Sequence, residues 1–391
     1  MNSFQPPRRF LMGPGPSDVS PRVLAALARP TIGHLDPAFQ ALMEEIKAGL
    51  SRLMNAPGYA CVPLPAPGTA GMEAAIINLL QPGERAVIAV NGAFGGRMAD
   101  MAGRAGALVV TVDHEWGLPV DVARVEAALA ERPAKLVAFV HAETSTGARS
   151  DAASLCAAAR RHGALSVVDC VTSLGGIPVD AAGWDADVIY SGTQKCLSVP
   201  PGLSPIALSP RAQAAIAART EKPRNWLLDF QLLMSYWGGE GGRSYHHTAP
   251  INALYGLHEG LVAIFEEGQQ AVIVRHARMH AALAAGLEAA GLTFLVAEPH
   301  RLPQLNAVRV PDGIDEAAVR THVLDAWDLE IGAGLGPLKG RVWRIGLMGA
   351  SATPWHVRLC LTALCDALAA QGFAADAPAA LAAVDTKLAE P

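Results

Sequence analysis

Apolar and polar residues alternate along most of this chain with the signature of a parallel α/β protein: amphipathic stretches of helical length separated by short, continuous apolar runs. From about residue 70, a helical pattern over Thr69–Leu80 meets the turn Gln81-Pro-Gly-Glu84 and then the apolar run Ala86–Val90. Helical patterns near 94–105, 121–131 and 151–162 alternate with the apolar runs Ala107–Val112, Leu136–Val140 and Leu165–Val168, and Val188–Tyr190 and Pro205–Leu208 complete the series. Strands with apolar side chains at every position, rather than every second one, belong in a sheet covered on both faces. After about residue 250 the pattern changes. Two Ala-rich helical stretches, 252–267 and 269–291, lead into strands near Leu305–Val310 and Val342–Ile345 with helices near 315–327 and 354–371. The expected organisation is an extended segment over 1–25, rich in Pro and Gly, that packs on the second domain or on a partner subunit, then a large domain over 26–255. A smaller α+β domain over 256–375 and an Ala-rich tail over 376–391 follow.

Composition narrows the function classes. The 391 residues carry a net charge of −5, with 31 Lys and Arg against 36 Asp and Glu, which is not the basic balance of a phosphate-backbone binder, so nucleic acid is not an expected partner. The mean hydropathy of +0.25 invites a membrane reading, but the most apolar stretches, 281–297 and 359–384, are broken by Glu288 and by Asp366 and Gln371. Neither supplies the run of about 20 apolar residues that a span needs. The N-terminal basic pair has no apolar region after it, so no signal peptide is expected and a cytoplasmic location follows. The six cysteines form no C-x-x-C pair and no metal-ligand spacing, and read as buried thiols with no metal site.

In α/β sheets, ligands bind at the carboxyl ends of strands. Four polar segments sit there: Pro67-Gly-Thr69, His141-Ala-Glu-Thr-Ser-Thr-Gly147, Asp169-Cys-Val-Thr-Ser173 and Ser191-Gly-Thr-Gln-Lys195. Taken alone, Asp169 is best read as a helix cap or a satisfied strand-end carboxylate, and a loop lysine is ordinarily solvated. Together, an acidic residue for a pyridinium nitrogen and a lysine that can form a Schiff base are what pyridoxal phosphate chemistry requires. Gly68 and Thr69 open a helix, where backbone N–H groups suit a phosphate. Arg344 lies between apolar neighbours inside a strand and must be paired, either with a substrate carboxylate or with an internal acid, and the sequence leaves both open.

These segments, with Gly13-Pro-Gly-Pro-Ser17, Gly33-His-Leu-Asp-Pro-Ala-Phe39, Tyr245-His-His-Thr248, Gly334-Leu-Gly-Pro337 and Arg344-Ile-Gly-Leu-Met-Gly349, resemble the class V, fold-type I pyridoxal-phosphate aminotransferases, specifically the alanine:glyoxylate (serine:pyruvate) family. The resemblance implies a large domain with a mainly parallel seven-stranded sheet, a smaller C-terminal α+β domain and pyridoxal 5'-phosphate as cofactor. It makes Lys195 the Schiff-base lysine and Asp169 the carboxylate at the ring nitrogen. Phe94 falls over the ring, Thr144 near the phenolic oxygen, and Gly68, Thr69 and Gln194 around the phosphate. Tyr245 and Thr248 match residues that reach the neighbouring subunit's phosphate, so a homodimer with shared active sites is implied. Arg344 matches the grip on the substrate carboxylate, and His34 lies near the substrate mouth. The implied reaction moves an amino group from alanine or serine to glyoxylate.

One departure stands out: Pro67 occupies the position where the family usually has a serine, and it offers neither a hydroxyl nor an N–H. Three related activities and one different class compete. An (S)-ureidoglycine:glyoxylate aminotransferase shares Thr193-Gln-Lys-Cys-Leu-Ser-Val-Pro200 but tends to carry amides where this chain has Tyr245 and His34. A pyridoxamine:pyruvate aminotransferase lacks the Tyr-His-His-Thr run, and a cysteine desulfurase needs a loop cysteine near 330–345 that this chain does not have. A non-catalytic cofactor-binding module would be expected to have lost Lys195, Asp169 or Arg344.

Overall fold

The computed structural model describes residues 1–238 and 243–390. Its centre is a seven-stranded sheet in the order Ala60–Leu64, Ser204–Leu208, Val188–Tyr190, Leu165–Asp169, Leu136–Val140, Arg85–Val90, Leu108–Asp113. The last five strands of that order run parallel, and only Ser204–Leu208 is antiparallel to both of its neighbours. Leu136–Val140 and Leu165–Asp169 are buried at every position, as strands with helices on both faces must be. The sheet is therefore mainly parallel and seven-stranded, as the apolar runs and the resemblance implied.

Helix starts follow the polar punctuation. Ser20, Asp36, Asp121, Asp151, Ser209, Asp229, Asp315, Thr353 and Asp376 each accept a hydrogen bond from the first turn of the helix they precede. The helices Gly68–Leu79 and Ala93–Arg104 begin differently, at Pro67 and Gly92, neither of which has a side chain to close the first turn. Both emerge at the carboxyl edge of the sheet, but the first-turn N–H groups of Ala93 and Phe94 are taken by Ser145 Oγ and Glu143, so the free donors there belong to the helix that starts at Gly68. Glycine brings these helices close to the strands: a Cβ at Gly71 would lie within bonding distance of Ser204 Oγ, and one at Gly95 would be 2.7 Å from the Ala89 carbonyl oxygen.

A second apolar cluster surrounds the three-stranded antiparallel sheet Leu305–Arg309, Val342–Gly346, Gly332–Ala333 and includes Leu283, Trp343, Ile345, Leu361 and Val384. The N-terminal segment belongs to this cluster. Phe10–Leu11 pairs in parallel with Leu329–Glu330, and Met12 is fully buried there.

Several elements escaped the sequence pattern. The segment expected to be extended to residue 25 turns helical at Pro21, over Pro21–Leu27, and the helices Pro37–Leu53, Pro210–Ala217 and Phe230–Tyr236 and the edge strand Ala60–Leu64 had not been anticipated. The Ala-rich tail is a helix, Ala377–Ala389, that buries Ala380 and Val384; its small side chains permit close packing, and a Cβ at Gly286 of the neighbouring helix would be 2.8 Å from Val384 Cγ2.

Far from the carboxyl edge, Asp187 is almost completely buried; its Oδ1 accepts from Ser209 Oγ at 3.1 Å and Arg211 Nε at 2.9 Å, and its Oδ2 from Ser166 N at 2.8 Å and Arg211 Nη2 at 2.6 Å. Removing one partner of a buried pair strands the other. Asp187→Ala is expected to lower the unfolding free energy by about 3–5 kcal/mol, read as a drop in urea midpoint, while ligand affinity at the opposite edge stays unchanged.

Candidate active site

The site forms where several strand ends meet the uncapped N-terminus of the helix Gly68–Leu79. A cavity of about 260 Å³ is lined by Pro67, Gly68, Thr69, Phe94, Thr144, Asp169, Gln194 and Lys195, with Met72, Arg97, Val140, Ala142, Val171 and Thr172 between them. Seven of the residues selected from sequence thus converge on one space. A larger groove of about 470 Å³, near Asp100, Arg104, Arg219 and Glu221, holds none of them.

Lys195 is nine-tenths buried, and its ammonium donates to the Pro14 carbonyl oxygen. Burial and, after it, the positive charge of Arg344 depress its pKa to about 8, against the opposing pull of Asp169. The N-terminal segment makes room for it. Gly15 has a φ of +104°, and a Cβ there would sit 2.5 Å from Lys195 Nζ, so this position needs glycine for both conformation and space. Ser17 fixes the lysine's own backbone, its Oγ donating to the Lys195 carbonyl at 2.7 Å and its N–H to that of Gln194 at 2.9 Å.

Asp169 ends the central strand Leu165–Asp169. Tyr190 donates its hydroxyl to Oδ2 at 2.6 Å and the Val171 N–H reaches Oδ1 at 2.8 Å. Burial still pushes its pKa up to about 6, with the neighbouring Glu143 charge adding and the two donors opposing. A cation placed against it would relieve that strain by favouring the carboxylate.

Arg344, on the central strand of the small sheet, resolves the alternative left open by the sequence. It donates from Nε to the Ala333 carbonyl at 2.6 Å and from Nη1 to the Thr144 carbonyl at 3.3 Å, so it leans on neutral carbonyls and not on an internal carboxylate. Burial lowers its pKa to about 10, with Glu143 pulling the other way. Donors remain on the guanidinium for an incoming carboxylate.

Glu143 was not selected from sequence. It is fully buried, and its oxygens accept from Ser145 N at 3.0 Å, Ser145 Oγ at 2.5 Å and Phe94 N at 3.2 Å. It therefore ties the Thr144 loop to the helix that carries Phe94. Burial raises its pKa against those donors. An acid three residues beyond an all-apolar run and before three hydroxylic residues was the available signal. Tyr190, Gly15 and Pro14 carried none, because their roles arise from contacts distant in sequence.

His34 and Tyr245 do not enter this cavity in their own chain. Their rings lie 5.7 Å apart, they line a separate pocket of about 260 Å³ with Leu35, Gln40 and Arg243, and Tyr245 OH is 3.1 Å from Thr248 Oγ1. Leu35, Trp226 and Tyr245 are each more than two-thirds exposed on this face.

A pyridoxal phosphate fits the residues present. The Gly68 end offers free helix donors, the Thr69 hydroxyl and Gln194, whose amide N–H groups can donate to a phosphate. The other end offers Lys195 and Asp169, with the Phe94 ring on the wall between.

Comparison with known proteins gives the same direction. The aminotransferase class-V family matches residues 16–338. An alanine–glyoxylate aminotransferase of Mus musculus is 38% identical over 364 residues, covering 93% of this chain and 88% of its own. Among solved structures, the alanine–glyoxylate aminotransferase of Nostoc sp. is 43% identical with a TM-score of 0.92, over 94% of this chain and 97% of that one. The ureidoglycine-glyoxylate aminotransferase of Bacillus subtilis is 35% identical with a TM-score of 0.97 over the full length of both.

The lowered Lys195 pKa is testable without any ligand. Trace acylation of Lys195 in the apoprotein, followed by mass spectrometry of its peptide, is expected to rise through a midpoint near pH 8, and Arg344→Gln should move that midpoint upward by removing a neighbouring cation. A midpoint above 10 in the wild type would mean that burial does not depress this amine.

Proposed function

The chain belongs to the class-V aminotransferases, an enzyme family that uses pyridoxal 5'-phosphate, and on that premise we propose that it transfers the amino group of alanine or serine to glyoxylate, giving glycine and a 2-oxo acid. The observation that carries this reading is the meeting of Lys195, Asp169 and Arg344, the last tied through the Thr144 carbonyl to the wall of the cavity. None of the three is used up by an ion pair with another.

When bound, pyridoxal 5'-phosphate supplies an aldehyde for the amino group and a ring that takes up electrons from Cα. Asp169, held by Tyr190 and Val171, keeps a proton at the ring nitrogen. Arg344 grips the substrate carboxylate with its planar fork and so fixes the direction of the Cα–H bond. Lys195, with a pKa near 8, is neutral often enough to take the proton from Cα and acidic enough to return it.

The donor rests on Tyr245 and His34. An aromatic ring and an imidazole stand where ureidoglycine-acting relatives tend to carry amides, which supports alanine or serine over ureidoglycine. Their position on an exposed apolar face, outside their own chain's cavity, supports a homodimer in which Tyr245, Thr248 and His34 complete the partner's site. Among the described residues, no helix is long and apolar enough to cross a membrane.

The purified protein is expected to be yellow, to lose its visible band on adding alanine or serine and to regain it with glyoxylate. Initial rates with alanine and glyoxylate varied together should give parallel double-reciprocal lines, and intersecting lines would rule out the two-step exchange. Lys195→Ala is expected to lower turnover about 10²–10⁴-fold, the usual contribution of a placed acid–base group. A band that no amino acid discharges, with Lys195 intact, would favour a non-catalytic binding module, and discharge by ureidoglycine alone would move the donor to that relative.

A further inference from the structure

The helix that receives the anionic end of the cavity starts unusually poorly. Pro67 sits at its cap with no side-chain hydrogen bond, and a helix N-terminus presents only about half a unit of positive charge. A phosphate monoester carries about −1.5 to −2 at neutral pH. Gln194 and Thr69 can donate hydrogen bonds but add no charge, and Lys195 and Arg344 belong to the opposite end of the site. About 1 to 1.5 units of negative charge would remain unbalanced at this end.

Arg97 lies where that charge would fall. It lines the same cavity, its Nη1 donates to Thr69 Oγ1 at 3.1 Å, and its guanidinium carbon stands 4.8 Å from the centre of the Phe94 ring. It projects from the helix Ala93–Arg104 one turn after Phe94, so one helix face delivers an aromatic ring and a cation together. Its contacts among the described residues are a neutral hydroxyl and that ring, which leave most of its five donors free.

We propose that Arg97 is a cofactor-binding residue that supplies the full positive charge for the phosphate of pyridoxal 5'-phosphate, in place of the hydroxyl that Pro67 cannot give. This rests on the cofactor reading given above. The guanidinium needs little movement to do so, because Thr69 already holds it beside the uncapped first turn and Phe94 supports its flat face. In this arrangement Phe94 and Arg97 act as a unit, the ring on the cofactor's plane and the cation on its tail.

Two ligands separate this role from a structural one: pyridoxal 5'-phosphate and pyridoxal, which lacks the phosphate. Dissociation constants are measured by absorbance and fluorescence titration of the apoprotein, without reference to activity. Arg97→Gln is expected to weaken pyridoxal 5'-phosphate binding roughly tenfold or more, the scale of one charge-assisted hydrogen bond, and to leave pyridoxal binding unchanged. Adding Pro67→Ser to that variant should restore part of the loss, and Arg97→Lys should fall between wild type and Arg97→Gln. Equal weakening of both ligands would overturn the proposal in favour of support for Phe94 alone. Unchanged affinity for both would make Arg97 a solvated side chain or a partner contact, and would also overturn it while leaving the cofactor reading intact. A wild-type protein that binds neither ligand would instead sink the cofactor reading, and this inference with it.

Discussion

Two cations, Lys195 and Arg344, are buried close enough to raise each other's electrostatic cost, and neither is neutralised by a paired carboxylate. Their partners are backbone carbonyls of Pro14, Ala333 and Thr144. Such an arrangement destabilises the charged forms, and the rest of the site follows from how that strain is used. One cation responds by becoming a weak acid near neutral pH, which suits a group that must lose and regain a proton. The other is a guanidinium whose pKa, even lowered, stays well above neutrality, so it remains charged and ready for an anion. Asp169, strained in the opposite sense, is prepared for a cation. A ligand with a carboxylate at one end and a protonated ring nitrogen at the other would relieve each of them.

Holding like charges together requires rigid scaffolding, and the chain supplies it from both apolar clusters. The N-terminal segment pairs with the small sheet region at Leu329–Glu330, passes Gly346, whose N–H donates to the Met12 carbonyl at 2.6 Å, and then lays Pro14, Gly15 and Ser17 against Lys195. It is a physical link between the strand of Arg344 and the loop of Lys195. Glu143 makes the corresponding link on the other side, joining the Thr144 loop, which carries Arg344, to the helix of Phe94. Each of these hydrogen bonds has a main-chain group on at least one side, so the backbone takes part in setting the distances between these groups.

The central strands of the large sheet from Arg85 onward were legible because doubly covered strands are written as continuous apolar runs, and two of the helices between them have their starts marked by Asp121 and Asp151. Edge elements were less legible. Ala60–Leu64 contains Pro63 and ends in Pro-rich sequence, and Pro37–Leu53 precedes any clear strand that would frame it. The tail helix Ala377–Ala389 reads as low complexity because its information lies in what it packs on. At the site, Lys195, Asp169, Thr69 and Gln194, whose own side chains line the cavity, were visible. Glu143, Tyr190 and Arg97 were not, and Gly15 was visible only within the motif Gly13-Pro-Gly-Pro-Ser17, not as a neighbour of Lys195, since these contacts are made only by folding.

The sequence by itself determined the types of group available and their order: an acid and a lysine at strand ends, a glycine-opened helix, an arginine inside a strand. Strand ends gather at one edge of a parallel sheet whatever the details, so the existence of a common site was implicit in the pattern. Only the tertiary structure decided the state of those groups. Whether Arg344 was spent on an internal acid, how far Lys195 was driven from its ordinary pKa, and which cation stood beside the Pro67 cap all depend on burial and on distances of a few ångströms between residues far apart in the chain. Electrostatic strength in a dry interior changes steeply over that range, and periodicity carries no record of it.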